Sequence, residues 1–435
     1  MKKILMISYN FAPRQTVGAI RATKLAKNFC EMGYLVDVVS VKPFGNIDHT
    51  MDDSIKKINK FYYIDLQIIP TKTVNITDKK AENAKKPAVV LPETDSKSGL
   101  VKNIKGALSE YKKLCRSRRF VSEFKKIIDE NRERFSEYEV CFSTFGPYVS
   151  HICALEMKKQ FPDIRWIADF RDPMVVYNTS PFIKPKLAAL QEKVCKRADA
   201  LVAVSKGYYD RIFGNRYDSK AYVIYNGYDK ADYNPENVNA ERDKFSFACV
   251  GSLYGGKRDA SALFRALSEL ICERKLVKED LRFDYAGVHG GILASQAKKY
   301  DLEDIIYDYG TLPRDKCLEL QGGACFNLLV TWNGEGEGGM IPLKFYEYVM
   351  MNRPIICIVS GDKAGHELRE MIDNGRFGIT YEEADSVKDI ALLKDYLLKA
   401  YTAFRQGKDN EFNPKPEEVE KYDFVNITKQ IEALF

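Results

Sequence analysis

Short apolar runs alternate with segments of helical period along most of the chain. Residues 3–8 (KILMIS) form a first run and residues 35–40 (LVDVVS) a second. Between them, Ala22, Leu25, Ala26 and Phe29 recur at helical spacing within residues 19–32. A strand, a helix and a further strand in this order predict a parallel sheet with helices on both faces. Residues 140–143, 165–168, 200–204 and 221–225 supply further strands of the same series. A second series opens at residues 247–251 and continues with a helix over 260–274. Strands follow at 282–287, 305–310, 326–330 and 354–359.

The pattern predicts an α/β chain of two tandem Rossmann-like, doubly wound domains. The first spans residues 1–232 and the second 245–412, with polar residues 229–244 as linker. A C-terminal helix in 413–435 is expected to pack back on the first domain. A length of 435 residues fits this, since single cores stop growing below that size.

Residues 71–100 break the alternation with polar, Pro-containing sequence and read as an insertion. Residues 101–119 resume a helical period, with Val101, Ile104, Leu108, Tyr111 and Cys115 on one stripe. Seven Lys and Arg residues stand there against Glu110 alone. Such a helix either packs on its own domain with a solvated face or docks at an anionic membrane surface.

The net charge of +6 is small for this length and does not point to nucleic acid. The ten cysteines form no C-x-x-C pair, which suits free thiols in a reducing cytoplasm. No run of about 18 apolar residues marks a membrane span. With four histidines and no metal-ligand spacing, no metal site is expected.

Three segments have the character of anion sites. In residues 8–21 a strand end is followed by Gly18 and a helix start, where backbone N–H groups attract anions. The segment lacks G-x-G-x-x-G, so a dinucleotide cofactor is not indicated. Residues 251–258 (GSLYGGKR) form a glycine loop carrying Lys257 and Arg258. The third segment, GEGEGGMIPLKFYEY, runs from a glycine-rich loop into a helix, with Pro342 read into its first turn. Lys344 and Glu347 stand three apart in apolar surroundings. They form either an ordinary helix-surface pair or a polar edge facing a ligand.

Pro342-x-Lys344-x-x-Glu347-Tyr348, followed by Arg353-Pro354-Ile355-Ile356, resembles the donor-site motif of glycosyltransferase family 4. Members of that family are retaining, nucleotide-sugar-dependent enzymes whose GT-B fold sets two Rossmann-like domains across a cleft. ADFRDP (168–173), the segments 198–205 and 224–229, and the loops at 10–21 and 251–258 resemble other family signatures in the same order. The resemblance implies that Glu347 binds the donor ribose and Lys257 faces the donor phosphates. Gly339, Met340 and Ile341 at the helix start would hold the diphosphate, helped by Lys344, Ser252 and Arg258. Thr311 and Leu312 would lie near the base, and Gly18 would let its loop approach the donor. His151 and Asp172 would face the acceptor. Two positions depart from the pattern. Ser252 stands where an arginine is usual, and Gly339 where a first glutamate is usual. Glu337, or else Glu335, is the expected replacement for that carboxylate.

The resemblance therefore implies a metal-independent hexosyltransferase that needs no cofactor beyond its nucleotide-sugar substrate. Its acceptor would be a carbohydrate or lipid-linked molecule of bacterial surface polysaccharide synthesis. The location would be cytoplasmic, with peripheral attachment at the inner face of the cell membrane. A nucleotide-sugar epimerase of the same fold, or an inactive sugar-nucleotide-binding protein, are the alternatives.

Overall fold

A computed structural model describes residues 2–14, 16–45, 47, 51–66, 115–176, 179–238, 243–334, 336, 338–408 and 412–435. The predicted insertion and most of the basic helix lie outside these residues, as do Glu335 and Glu337. Only the end of the basic segment is described, within a helix over 115–130.

The first sheet contains β1 (Lys3–Ser8), β2 (Leu35–Val41), β3 (Lys60–Ile64), β4 (Val140–Thr144), β5 (Arg165–Phe170), β6 (Ala200–Ala203) and β7 (Ala221–Val223). Their order is β3-β2-β1-β4-β5-β6-β7. The second contains β8 (Phe245–Val250), β9 (Leu281–Ala286), β10 (Ile306–Asp308), β11 (Phe326–Trp332), β12 (Ile355–Ser360) and β13 (Gly378–Glu382). Their order is β10-β9-β8-β11-β12-β13. The pairings described are parallel in both sheets. The chain is thus two tandem Rossmann-like assemblies, as the alternation predicts. It divides into two compact units, residues 1–23 with 33–166, and 24–32 with 167–435.

Central strands are apolar without alternation because both faces are covered by helices. Ile4, Leu5, Met6 and Ile7 of β1 are all fully buried. In the second sheet the Phe247 ring stacks on Phe283 and Phe326, at 6.2 and 5.6 Å between centroids. The edge strands β3 and β13 do not stand out in the sequence. Lys60-Phe-Tyr-Tyr-Ile is only partly buried, so it lacks the continuous apolar signal. Gly378 opens β13 at φ +147°, where a Cβ would lie 2.0 Å from the Ile355 carbonyl oxygen. Only glycine lets this edge approach β12 there.

Helix α1 (Val17–Glu31) begins two residues before its predicted start. Its Lys24 side chain is 3% exposed and reaches Asp229 at 2.9 Å and Asp232 at 2.5 Å. Lys27 reaches Asp229 at 2.7 Å. The polar segment read as a linker is therefore anchored by charge at its beginning. Gly227, just before it, meets the C-terminal segment closely: a Cβ would lie 2.2 Å from the Tyr422 carbonyl oxygen. Tyr228 N–H donates to that carbonyl at 2.9 Å, and Phe424 N–H donates back to Tyr228 O at 2.9 Å. Phe435 at the chain end lies 5.2 Å from the Phe29 ring. Among the described residues no helix is long and apolar enough to cross a membrane.

Lys24 is buried against two carboxylates, so its removal leaves both without their shared cation. Lys24→Met is expected to destabilise the protein by about 3 kcal/mol. A fall in the midpoint of urea unfolding checks this; an unchanged midpoint would deny the pair a structural role.

Candidate functional site

The order of the second sheet fixes where a ligand can sit. From β8 the chain moves outward through β9 to β10. It then returns to β11, beside β8, and moves the other way through β12 to β13. Loops leaving the C-terminal ends of β8 and β11 therefore diverge, and such a switch point forms a crevice in open α/β sheets. The loop after β8 is residues 251–258, and the loop after β11 is residues 333–342.

The loop after β8 meets the end of β11 through aromatic and cationic side chains. The Tyr254 ring lies 5.4 Å from Trp332, and Lys257 Nζ lies 5.6 Å from the same indole. Gly251 turns the chain out of β8 at φ +119°. Lys257 is exposed and Arg258 half-buried. Arg258 packs 4.5 Å from the Tyr254 ring and donates from Nη1 to the Ser252 carbonyl at 3.0 Å. Burial lowers its pKa from the ordinary arginine value. Arg258 thus braces the loop, while Lys257 presents charge at the surface. Ser252, where the resemblance expects arginine, accepts from Tyr254 N–H at 3.1 Å and lies 3.3 Å from His289 Nδ1. Leu253 N–H donates to the same His289 nitrogen at 3.2 Å, so a histidine from the β9 loop shapes the β8 loop.

Beyond β11, Gly339 has φ +95°. Its carbonyl accepts from Ser205 Oγ at 2.5 Å, and the Gly338 carbonyl accepts from Arg211 at 3.2 Å. The predicted helix start needs correction. Pro342 has ψ 137° and is the N-cap, so the helix (Leu343–Met350) begins after it. Extended backbone at Pro342 leaves Met340 and Ile341 outside the helix, between the turn at Gly338–Gly339 and its first residue. The orphan N–H groups of its first turn still mark an electropositive end.

Phe345, Tyr346, Tyr348 and Val349 are buried on that helix, and Lys344 and Glu347 occupy its polar edge. Glu347, 12% exposed, holds Lys344 Nζ at 2.6 Å on one oxygen and Arg314 Nη1 at 3.0 Å on the other. Arg314 also reaches Asp232 at 3.5 Å. Burial alone would raise the Glu347 pKa. The charges of Lys344 and Arg314 outweigh it and hold the carboxyl below its ordinary range. Each carboxylate oxygen has a further lone pair for a hydroxyl donor. The sequence reading leaves Lys344 open, and here its ammonium pairs with Glu347. That reading misses Arg314. It opens the helix Arg314–Gly323 directly after Thr311-Leu312-Pro313. A single arginine behind a segment expected near the base is its only signal. Thr311 is exposed and Leu312 half-buried, on the loop leaving β10.

The other candidates stand on other elements. Gly18 is in the first turn of α1, where its N–H donates to Thr16 Oγ1 at 3.3 Å. His151 is 0% exposed. Its Nδ1 lies 2.8 Å from Ser143 Oγ, which also accepts from Trp166 Nε1 at 2.8 Å. That is the geometry of a packed core residue. Asp172 is at the surface, 3.4 Å from the Tyr208 hydroxyl that donates to it. Desolvation by surrounding protein raises its pKa, against the lowering pull of Arg171.

No family model matches the chain, and no curated protein matches it. Solved structures do. A lipopolysaccharide outer core galactosyltransferase WaaB in apo form is similar over 100% of this chain and 99% of its own, with TM-score 0.58 and 15% identity. An E. coli structure described as trehalose-6-phosphate bound with UDP-2-fluoro glucose is similar over 100% and 99%, with TM-score 0.61 and 12% identity. A putative UDP-N-acetylglucosamine 2-epimerase from Listeria monocytogenes is similar over 100% and 95%, with TM-score 0.51 and 12% identity. The chain shares the GT-B fold, tandem Rossmann-like domains, across its length.

The Glu347 arrangement has a pH signature. Its folded pKa lies below the unfolded value of about 4.5, so its ionisation stabilises the fold above that pH. The contribution is lost as pH falls through the folded value. Arg314→Gln removes one of the two cations and raises that folded value. Acid titration of tryptophan fluorescence is expected to give a higher unfolding midpoint in the variant; an unmoved midpoint would separate Arg314 from Glu347.

Proposed function

We propose that this protein is a retaining glycosyltransferase of the family 4 type. It moves a hexose from a nucleotide-diphosphate donor to a carbohydrate or lipid-linked acceptor. The observation that carries this reading is the Glu347 carboxylate, held between Lys344 and Arg314 beside the switch point of the second sheet. Its remaining lone pairs suit the two hydroxyls of a ribose. Lys257 and the N-terminus of the Leu343–Met350 helix would face the diphosphate. In the reaction the bond from the anomeric carbon to the diphosphate oxygen breaks. The acceptor oxygen bonds to that carbon on the same face, and its proton passes to the departing diphosphate. Preorganised positive charge stabilises the leaving group as it gathers charge, so these groups suffice without a metal. A surface-polysaccharide pathway, and attachment to a membrane through residues 101–119, belong to the same proposal.

An epimerase acting on the nucleotide sugar alone is the second reading. It is favoured by Gly339, which offers no carboxylate to the sugar, and by the similar fold of the Listeria protein described as an epimerase.

Incubation with a panel of nucleotide sugars and candidate acceptors tests both. Transfer predicts release of nucleoside diphosphate together with a new glycosidic product. Epimerisation predicts an altered sugar nucleotide with no acceptor present. For transfer, Lys257→Ala is expected to lower kcat/KM about a hundredfold. Unchanged turnover in that variant would remove Lys257 from the site.

A further inference from the structure

The turn at Gly338–Gly339 has a second polar neighbourhood. The helix α2 (Lys206–Ile212), the turn itself and the segment 363–370 line an open pocket of about 480 Å³. Lys257, Ser252, Arg258, Lys344 and Glu347 are not among its lining residues, though Gly339 is.

His366 lines this pocket and is 4% exposed. It is the N-cap of the helix Glu367–Gly375, and its Nδ1 accepts from Leu368 N–H at 3.1 Å. A ring nitrogen that accepts carries no proton, so the neutral ring holds its hydrogen on Nε2. Burial, against the opposing charge of Glu382, pulls its pKa down to about 4 and keeps the ring neutral. Nε2 is buried with no hydrogen-bond partner among the described residues. A buried N–H donor without an acceptor is costly, and it marks the place of a missing one. Lys206, Arg211 and Lys363 bring positive charge to the same pocket, and Asp210 and Glu370 bring carboxylates. A third carboxylate, Glu367, is already engaged. It accepts from the N–H groups of Lys206 and Gly207 at 2.9 and 3.1 Å, and from the Tyr225 hydroxyl at 2.8 Å.

We propose that this pocket binds an anionic sugar, either a sugar phosphate or a sugar acid. One oxyanion oxygen takes the His366 Nε2 hydrogen, and Lys363 and Lys206 neutralise its charge. Asp210 and Glu370 accept from the sugar hydroxyls. The mixture of orphan donor, cations and carboxylates suits a ligand that carries both a charged group and separate sugar hydroxyls, which neither inorganic phosphate nor a neutral sugar does.

Isothermal calorimetry on the full chain, without nucleotide, tests this with glucose 6-phosphate, glucuronate and glucose as probes. At least one charged sugar is expected to bind saturably, with glucose silent. His366→Asn keeps an N-cap acceptor for Leu368, while its shorter side chain withdraws the N–H donor from the position of Nε2. Lys363→Ala changes only an exposed side chain. Each variant is expected to weaken binding about tenfold or more, as loss of a charge-assisted bond does. No saturable binding of either charged sugar, binding of glucose with equal affinity, or unchanged affinity in either variant would overturn the proposal. Because no nucleotide is present, the result is independent of the transferase reading.

Discussion

The Glu347 carboxylate, with one cation on each oxygen, is the interaction around which the second sheet's site is organised. A carboxylate so far from solvent is unfavourable unless its charge is matched. Lys344 supplies one match from the same helix, and Arg314 the other from the helix after β10. Arg314 is in turn within reach of Asp232, which Lys24 of α1 holds. A run of alternating charges thus connects α1, the segment after Tyr228, the helix that Arg314 opens and the helix that carries Glu347. Residues 229–232 open the segment 229–244 that was read from its polarity as a linker. Its first acidic residues, Asp229 and Asp232, connect these elements.

Backbone geometry does the rest of the positioning. Gly339 at φ +95° turns the chain toward the Leu343–Met350 helix, and the Ser205 hydroxyl fixes the carbonyl of that turn. A Cβ at Gly207 would lie 2.5 Å from Gly339 Cα, so these two glycines make the contact possible together. On the other side of the switch point, His289, Ser252 and Arg258 hold the β8 loop by hydrogen bonds to its own backbone and side chains. The position that lacks the usual arginine is occupied by a residue that shapes the loop. Lys257 is then the loop's surface cation.

Most of the strand order's ingredients were legible in the sequence, because buried parallel strands leave uninterrupted apolar runs such as Ile4–Ile7. Edge strands β3 and β13 were not, since their residues mix polar and apolar types. Glu347 was legible because a charge inside Phe-Tyr-x-Tyr-Val needs a reason. Arg314 and Asp232 were not, because ion pairs between residues 33 and 82 positions apart leave no periodic trace. Pro342 was placed one position too far into its helix. Its fixed φ suits both N-cap and first turn, and only ψ distinguishes them. The resemblance gave His151 an acceptor-facing role, yet its environment is the packed interior beside Ser143 and Trp166.

The central claim is that Glu347 receives the ribose of a nucleotide. Calorimetric comparison of UDP with 2′,3′-dideoxy-UDP, in the wild type and in Glu347→Ala, tests it most directly. The account predicts that loss of both hydroxyls weakens binding about tenfold or more in the wild type and has little further effect in the variant. Equal affinities for the two nucleotides in the wild type, or an equal penalty in both proteins, would contradict it.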